Sequence, residues 1–429
     1  MDIKKIYKHF LECSGVSTDT RQVKPHSMFF ALKGANFNGN RFAKDALDLG
    51  ASWAVIDEEQ YKLGDKYILV KDVLTTLQDL ANFHRKQFRI PFIAITGSNG
   101  KTTSKELIKA VLSKKYKTYA TQGNLNNHIG IPLTILSIAA DMEMAVIEMG
   151  ANHQKEIEGY CKIAEPSHGL ITNIGKAHLE GFGGFEGVKK GKGELYDYLL
   201  KTGGVAFINS ANEILAELSK FTAPVSYPRK GDYYACELLE STPFVSIQTE
   251  GRQKVMTHLT GAYNFENIAA ALCIGKYFNV PADKANAAVS EYDPQNNRSQ
   301  IISKAGNTII LDAYNANPSS MKAAIENFAK IKASPKILIL GDMFELGEES
   351  KAEHAVLGKL ISGYDFDQVL LCGEQMASAK QACPKAEYFP DKARLTDWFK
   401  SHTITGSHLL IKGSRGMGLE KMLDFIPGD

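Results

Sequence analysis

The sequence predicts an α/β protein built from three consecutive modules, and three observations predict it. The first is length. A chain of 429 residues exceeds what one hydrophobic core organises, and at about 150 residues per domain it divides into about three. The second is the alternation of short, β-rich apolar runs with stretches of helical spacing, a pattern that calls for parallel strands joined by crossover helices. The third is a pair of breaks, Pro91 and the polar segment 291–299 (EYDPQNNRS), which divide the alternation into modules of 1–90, 91–295 and 296–429.

In the first module Ser27–Lys33, Trp53–Asp57 and Tyr67–Lys71 read as strands, and Arg41–Gly50 and Val73–Arg89 carry helical spacing. The second opens with the strand Phe92–Thr96 (FIAIT), a glycine-bearing loop and a helix from about Lys101. Strands at Met144–Glu148, Gly169–Ile174 and Val205–Asn209 continue it. The third has strands at Thr308–Asp312, Lys336–Gly341, Gln368–Cys372 and His408–Lys412, each with a helical stretch after it. No internal repeat or low-complexity tract interrupts this order.

Composition excludes several classes. Lys plus Arg is 50 against 48 for Asp plus Glu, a net charge of +2 that argues against a nucleic-acid or membrane coat. A hydrophobic share of 44% with 23% charged residues is globular rather than disordered or fibrous. The start MDIKKIYKHFLECSG lacks the apolar core of a signal peptide, and no run approaches the ~20 apolar residues of a membrane span. Six cysteines without a C-x-x-C pair fit free thiols in a reducing cytoplasm.

The strongest motif is Thr96-Gly97-Ser98-Asn99-Gly100-Lys101-Thr102-Thr103, between a strand and a helix. Its glycines let consecutive N–H groups face phosphate oxygens at a helix N-terminus. Lys101 is placed to bridge the β- and γ-phosphates and the Thr102 hydroxyl to meet Mg²⁺. The loop between its glycines is shorter than in the standard phosphate loop. Glu148 closes the strand Met144–Glu148, where an open parallel sheet presents metal-binding carboxylates. His178 follows a strand end in a glycine-rich loop and is a second ligand candidate.

These blocks resemble the Mur ligase family, the ATP-dependent enzymes that build the peptide stem of peptidoglycan. TGSNGKTT (96–103), EMGAN (148–152), NIGKAHLEGFG (173–183) and GAYNFENIAAAL (261–272) are similar to that family's blocks, in the same order. STDTR (17–21), FFALKGANFNGNRF (29–42), GNLNNHIGIPLTIL (123–136), LDAYNANPSS (311–320), LGDMFELGEES (340–350) and IKGSRGMGLEKML (411–423) look like the branch that adds D-alanyl-D-alanine. The resemblance implies a small UDP-sugar module, a central phosphate-loop ATPase module and a C-terminal Rossmann-like module. It implies a cytoplasmic ligase that uses ATP and two Mg²⁺ to join UDP-N-acetylmuramoyl-tripeptide and D-alanyl-D-alanine through an acyl phosphate. With no obvious assembly element in the sequence, a monomer is the default expectation.

Residue by residue, the resemblance implies that Gly97, Ser98, Asn99, Gly100, Lys101, Thr102 and Thr103 hold the triphosphate. Thr102 and Glu148 would face the first Mg²⁺, and His178 the second. Lys192, fourteen residues after His178, stands where the family carries a carbamylated lysine facing that second metal, with Lys189 and Lys190 as alternatives. Carbamylation requires a neutral amine, hence a lowered pKa. Asn264 and Asn267 fit adenine recognition, although asparagines near helix starts are also common caps. Arg298 would reach the γ-phosphate, and Asp312 with Asn315 the ribose. Thr20, Asn36, Asn38 and Asn40 are candidates for the UDP-sugar, Lys412, Ser414 and Arg415 for the dipeptide, and Asn126 for substrate binding.

Two alternatives stand beside this reading. One is a relative joining another amino acid, such as the third-residue ligase or a folylpolyglutamate synthase. Absence of Asp-Asn-Pro-Arg and a full UDP-sugar-type first module count against it. The other is a phosphate-loop switch, disfavoured for guanine by the lack of any Asn-Lys pair. Diaminopimelate and lysine at the third stem position are not distinguished by these motifs.

Overall fold

The computed structural model describes residues 2–294 and 297–427, so the module boundary expected at 295/296 lies outside the described residues. The N-terminal sheet has four parallel strands in the order Val16–Ser17, Met28–Phe30, Trp53–Ile56 and Tyr67–Leu69. The helix Val73–Arg85 leaves this sheet and packs on the next module. From it, Arg85 donates to Ala164 O and Glu165 O, and Asn82 to Lys162 O and Ile163 O. One apolar cluster therefore continues from Ile6 and Phe10 through Leu77 and Leu80 into Ile131 and Ile157.

The central sheet is six-stranded and parallel, in the order Val225–Tyr227, Val205–Asn209, His168–Ile171, Phe92–Thr96, Met144–Glu148 and Thr118–Ala120. Phe92–Thr96 and Met144–Glu148 are buried at every position, as expected for strands covered on both faces. The chain runs outward to both sides of Phe92–Thr96, so a crevice opens at the carboxyl end of that strand. The phosphate loop lies there.

The C-terminal sheet has six strands in the order Gln300–Lys304, Asn307–Asp312, His408–Lys412, Lys336–Gly341, Gln368–Cys372 and Glu387–Phe389. Its first strand departs from the expected parallel pattern. Gln300–Lys304 pairs antiparallel with Asn307–Asp312, because Ala305 and Gly306, at φ 51° and 69°, turn the chain back in a two-residue hairpin. The helical stretch expected after His408–Lys412 is also absent as an α-helix. Two 3₁₀ segments, Arg415–Met417 and Leu419–Phe425, replace it, separated by Gly418 at φ 60°. A third difference is the antiparallel sheet of Cys236–Glu240, Ser246–Thr249 and Lys254–Met256. Four of the five residues of its edge strand are exposed, so the strand carries no clean apolar period. Among the described residues all six cysteines are free, and no helix is long and apolar enough to cross a membrane.

His168 at the start of its strand packs among Phe207, Tyr277 and Phe278, and burial pulls its pKa down to about 4. A histidine whose folded pKa lies below its unfolded value contributes stability that is complete above the unfolded value near 6.5. That contribution is lost as pH falls toward 4. Urea unfolding at pH 7 and pH 5 is therefore expected to show an acid loss of roughly 1–2 kcal/mol assignable to this ring. In His168→Gln that part of the loss should disappear; an unchanged pH slope would assign it elsewhere.

Candidate active site

A cavity of about 460 Å³ opens where the central and C-terminal modules meet, and the phosphate loop forms its floor. Local geometry explains the loop's glycines. At Gly97, φ 141°, an added Cβ would lie 2.0 Å from Thr172 Oγ1; at Gly100, φ 79°, it would lie 2.6 Å from Asn267 Oδ1. The loop backbone is held by Asn173, which accepts from Ser98 N through its carbonyl and from Asn99 N through Oδ1. This arrangement leaves the first-turn amides of the helix Lys101–Leu112 facing the cavity.

Lys101 folds back over its own loop, its Nζ donating to Gly97 O at 2.8 Å and Ser98 O at 3.3 Å. Those carbonyls hold the ammonium where a phosphate would meet it. Desolvation lowers its pKa to about 8, with Glu148 opposing the shift and Arg298 adding to it. Glu148 is 1% exposed, and its carboxylate accepts from Thr102 Oγ1 at 2.9 and 3.2 Å and from Asn126 Nδ2 at 2.8 Å. A buried carboxylate beside a threonine hydroxyl at a phosphate loop is a hard-oxygen donor pair that phosphate oxygens complete for magnesium. Among the described residues no three His, Cys, Asp or Glu side chains form a cluster that could hold a metal ion.

His178 lines the same cavity in the left-handed region, φ 53°. Its Nδ1 lies 2.5 Å from Glu345 Oε2 of the C-terminal module, outside hydrogen-bond geometry, and has no other partner among the described residues. The close approach of His178 holds the Glu345 carboxyl below its ordinary range, outweighing burial, which acts the other way. An imidazole with a carboxylate beside it suits a divalent cation. Lys192 is 1% exposed, donates to Ala151 O at 2.9 Å and lies over the Phe182 ring. Its pKa is held well below that of an ordinary lysine, by burial first and by Lys101 second. Ala151, whose carbonyl Lys192 meets, lines the cavity, while Lys192 is not among its lining residues. Lys190 is exposed and Lys189 pairs with Glu186, so of the three lysines Lys192 alone has the environment of a neutral amine.

The remaining expected residues separate into two groups. Ser98 to Thr103, Asn126, Asn264, Asn267, Arg298, Asp312, Asn315 and Lys412 all line the cavity. Several already have partners there. Asn267 donates to Asn264 Oδ1 and accepts from Ser104 Oγ, and Asn264 donates to Thr260 O, which leaves each amide one further N–H and one further lone pair. Lys412 pairs with Asp312 Oδ2 at 2.7 Å and donates to Asn315 O, which places it with the ribose candidates rather than with a dipeptide. Arg298 lies 3.6 Å over the Tyr314 ring, its Nε buried with no hydrogen-bond partner among the described residues.

The others lie elsewhere. Ser414 accepts from Phe344 N and donates to Ala316 O, joining two loops from within. Arg415 is exposed and donates to Tyr314 Oη. In the N-terminal module Asn40 is buried, donating to Asn38 Oδ1 and Asp57 Oδ1 and accepting from Asp57 N, while Asn38 donates to Glu58. These two asparagines shape a turn, and Asn36 sits exposed at its tip. Thr20 lines a second cavity of about 680 Å³, with Asp19, Arg21, Phe37 and Phe42. Ile129 of the central module completes that second cavity, while its neighbours Asn126, Asn127 and His128 line the first.

Sequence reasoning missed the contacts that clasp the two larger modules. Asn317 donates to Asn99 Oδ1 at 2.8 Å, Ser319 Oγ accepts from Lys176 N at 3.1 Å, and Lys176 Nζ meets Glu353 Oε1 at 2.5 Å. Asn317 and Ser319 stand inside a block that sequence reading singled out, but nothing in their type reveals partners 218 and 143 residues away.

Three family descriptions match the chain: Mur ligase family, catalytic domain, at 12–85; Mur ligase middle domain at 95–275; and Mur ligase, glutamate ligase domain, at 297–415. The UDP-N-acetylmuramoyl-tripeptide–D-alanyl-D-alanine ligase of Bacillus subtilis is 34% identical, over 95% of this chain and 92% of its own. Among solved structures, MurF from Acinetobacter baumannii superposes with a TM-score of 0.87 at 29% identity, covering 99% of this chain and 98% of its own. MurF ligase from Thermotoga maritima in complex with ADP gives 0.85 at 26% identity, with 97% of each chain covered. On matches of this extent, with three family descriptions in order along the chain, the chain belongs to the Mur ligase family.

Proposed function

We propose that this chain joins D-alanyl-D-alanine to UDP-N-acetylmuramoyl-tripeptide at the expense of ATP, giving UDP-N-acetylmuramoyl-pentapeptide, ADP and phosphate. The observation that carries the reading is the run Asn126–Ile129, which lines both cavities. A substrate with a nucleotide at one end and a peptide carboxylate at the other suits such a pair. The cleft at Thr20 would take the UDP-sugar, and the peptide would cross Asn126–Ile129 toward the phosphate loop. The names of the relatives point to the same substrates.

In the reaction, the stem carboxylate attacks the γ-phosphorus and ADP leaves; the dipeptide amine then attacks the acyl phosphate and phosphate leaves. Both first-step reactants are anionic, so the work of the chain is to place positive charge and donors around them. Lys101 and the first-turn amides of Lys101–Leu112 hold the triphosphate, and Arg298 approaches its γ-end from the Tyr314 ring. Asp312, kept in place by Lys412 and Ser299 N, accepts from the ribose. Thr102 and Glu148 would hold one magnesium ion, and His178 with Lys192, once carbamylated, a second; such cations would add to the charge neutralisation. Contacts from Asn317, Ser319 and Glu353 close the C-terminal module over the loop and exclude water that would hydrolyse an acyl phosphate. The same reading makes the protein a cytoplasmic monomer without nucleic-acid or membrane partners.

Phosphate release from ATP, measured with UDP-N-acetylmuramoyl-tripeptide with and without D-alanyl-D-alanine, tests the proposal. Release that needs both substrates, with the pentapeptide detected by mass, is expected. Turnover only with the dipeptide-stem substrate and a free amino acid would move the chain to the third-residue ligase reaction.

A further inference from the structure

One buried lysine has no part in the chemistry above. Lys105 has no exposed surface, and its Nζ ends 2.7 Å from Thr121 O and 2.9 Å from Glu106 Oε1, with Glu148 Oε2 at 3.9 Å. Taking an ammonium out of water costs several kcal/mol unless nearby charges and acceptors compensate. A methionine would fill the same space without that cost, so the charge at this position calls for an explanation.

Helix geometry supplies one. Thr102 and Lys105 are three residues apart on Lys101–Leu112 and therefore share a face. Both turn to Glu148: Thr102 donates to its carboxylate directly, and Lys105 approaches Oε2 from the next turn. Thr121 joins the two from behind, its carbonyl accepting from Lys105 and its hydroxyl accepting from the backbone N–H of Glu148 at 3.0 Å. Glu148 is thus held at its backbone by Thr121 and at its carboxylate by Thr102 and Asn126, with the Lys105 ammonium facing Oε2 at 3.9 Å.

We infer that Lys105 is a positioning residue for Glu148, fixing its carboxylate beside Thr102 in the orientation that meets the magnesium of the nucleotide. The inference rests on the proposed role of Glu148. A rigid carboxylate binds a cation that demands near-octahedral geometry better than a mobile one does. Outer partners of this kind carry much of a site's metal affinity.

The test is ADP affinity measured by calorimetry with and without Mg²⁺, which needs no turnover. Lys105→Met is expected to keep the metal-free ADP affinity and to lose about tenfold or more of the gain that Mg²⁺ confers. Glu148→Gln is the control. If Glu148→Gln keeps the full gain, the role of Glu148 itself is wrong. If Glu148→Gln loses the gain and a folded Lys105→Met keeps it, the inference about Lys105 fails. A parallel loss of metal-free affinity would make Lys105 a scaffold of the whole phosphate loop and would also overturn it. Should Lys105→Met not fold, Lys105→Gln, which keeps a donor for Thr121 O, decides on the same criteria.

Discussion

Replacing Lys101 by methionine is expected to cut ATP turnover by about a thousandfold while the thermal midpoint stays close to that of the parent chain. The ammonium stands in the cavity floor with two loop carbonyls, Gly97 O and Ser98 O, as its hydrogen-bond partners. A buried salt bridge does not depend on it, so the fold loses little. The reaction loses the charge that faces the β- and γ-phosphates, at the moment when a carboxylate approaches them. Near-normal phosphate release from a folded Lys101→Met protein would remove Lys101 from the mechanism.

The same residue gives a pH signature. Desolvation lowers Lys101 to about 8 in the nucleotide-free cavity, and triphosphate binding needs the protonated form. Affinity for ATP is therefore expected to be level at pH 7 and to weaken as pH rises through 8, since a proton must be taken up before the phosphates are held. Lys101→Arg, which does not titrate in this range, should flatten the profile between pH 7 and 9. A parent profile that is flat to pH 9 would mean that the ammonium stays charged or that it does not touch the phosphates.

Replacing Lys192 by methionine should separate activity from stability. Turnover is expected to fall about a hundredfold or more, whereas the thermal midpoint should hold or rise, because an apolar side chain of similar length removes the cost of burying an amine. The basis is the environment of Nζ: fully enclosed, bonded to Ala151 O, against Phe182 and near Lys101, with a pKa held far below that of a free lysine. A neutral amine adds to CO₂ and releases a proton, and the carbamate so formed is an anion. In the parent protein, isotopically labelled bicarbonate should give a carbamate carbonyl resonance that Lys192→Met lacks. Activity should also fall in CO₂-depleted buffer and return with bicarbonate. A parent protein without the resonance and insensitive to CO₂ would leave Lys192 a plain buried lysine.

Much of the fold was legible because its signals are local. Phe92–Thr96, Met144–Glu148, Lys336–Gly341 and Gln368–Cys372 appear at the expected bounds, since each is a short apolar run covered on both faces and bounded by turn residues. Elements without such a run were missed. The edge strand Cys236–Glu240 is mostly exposed, and Gln300–Lys304 owes its direction to a two-residue turn rather than to its own composition. The 3₁₀ segments after Lys412 show the reverse error, where a helical spacing was interrupted by glycine.

The same division holds at the site. Sequence by itself determined the phosphate loop, the carboxylate at the end of the neighbouring strand and the family, because a strand–loop–helix with glycines at required positions is encoded within a few residues. Only the tertiary structure decided how the polar side chains divide their partners. It paired Lys412 with Asp312, gave Asn40 to Asp57, set Glu345 against His178 and Glu353 against Lys176, and placed Lys105 behind Glu148. A lysine or asparagine can satisfy its hydrogen bonds with many partners, and which of them lies within reach depends on chain segments far apart in sequence. Residue type states what a side chain can bind; the packing of the three modules states what it meets.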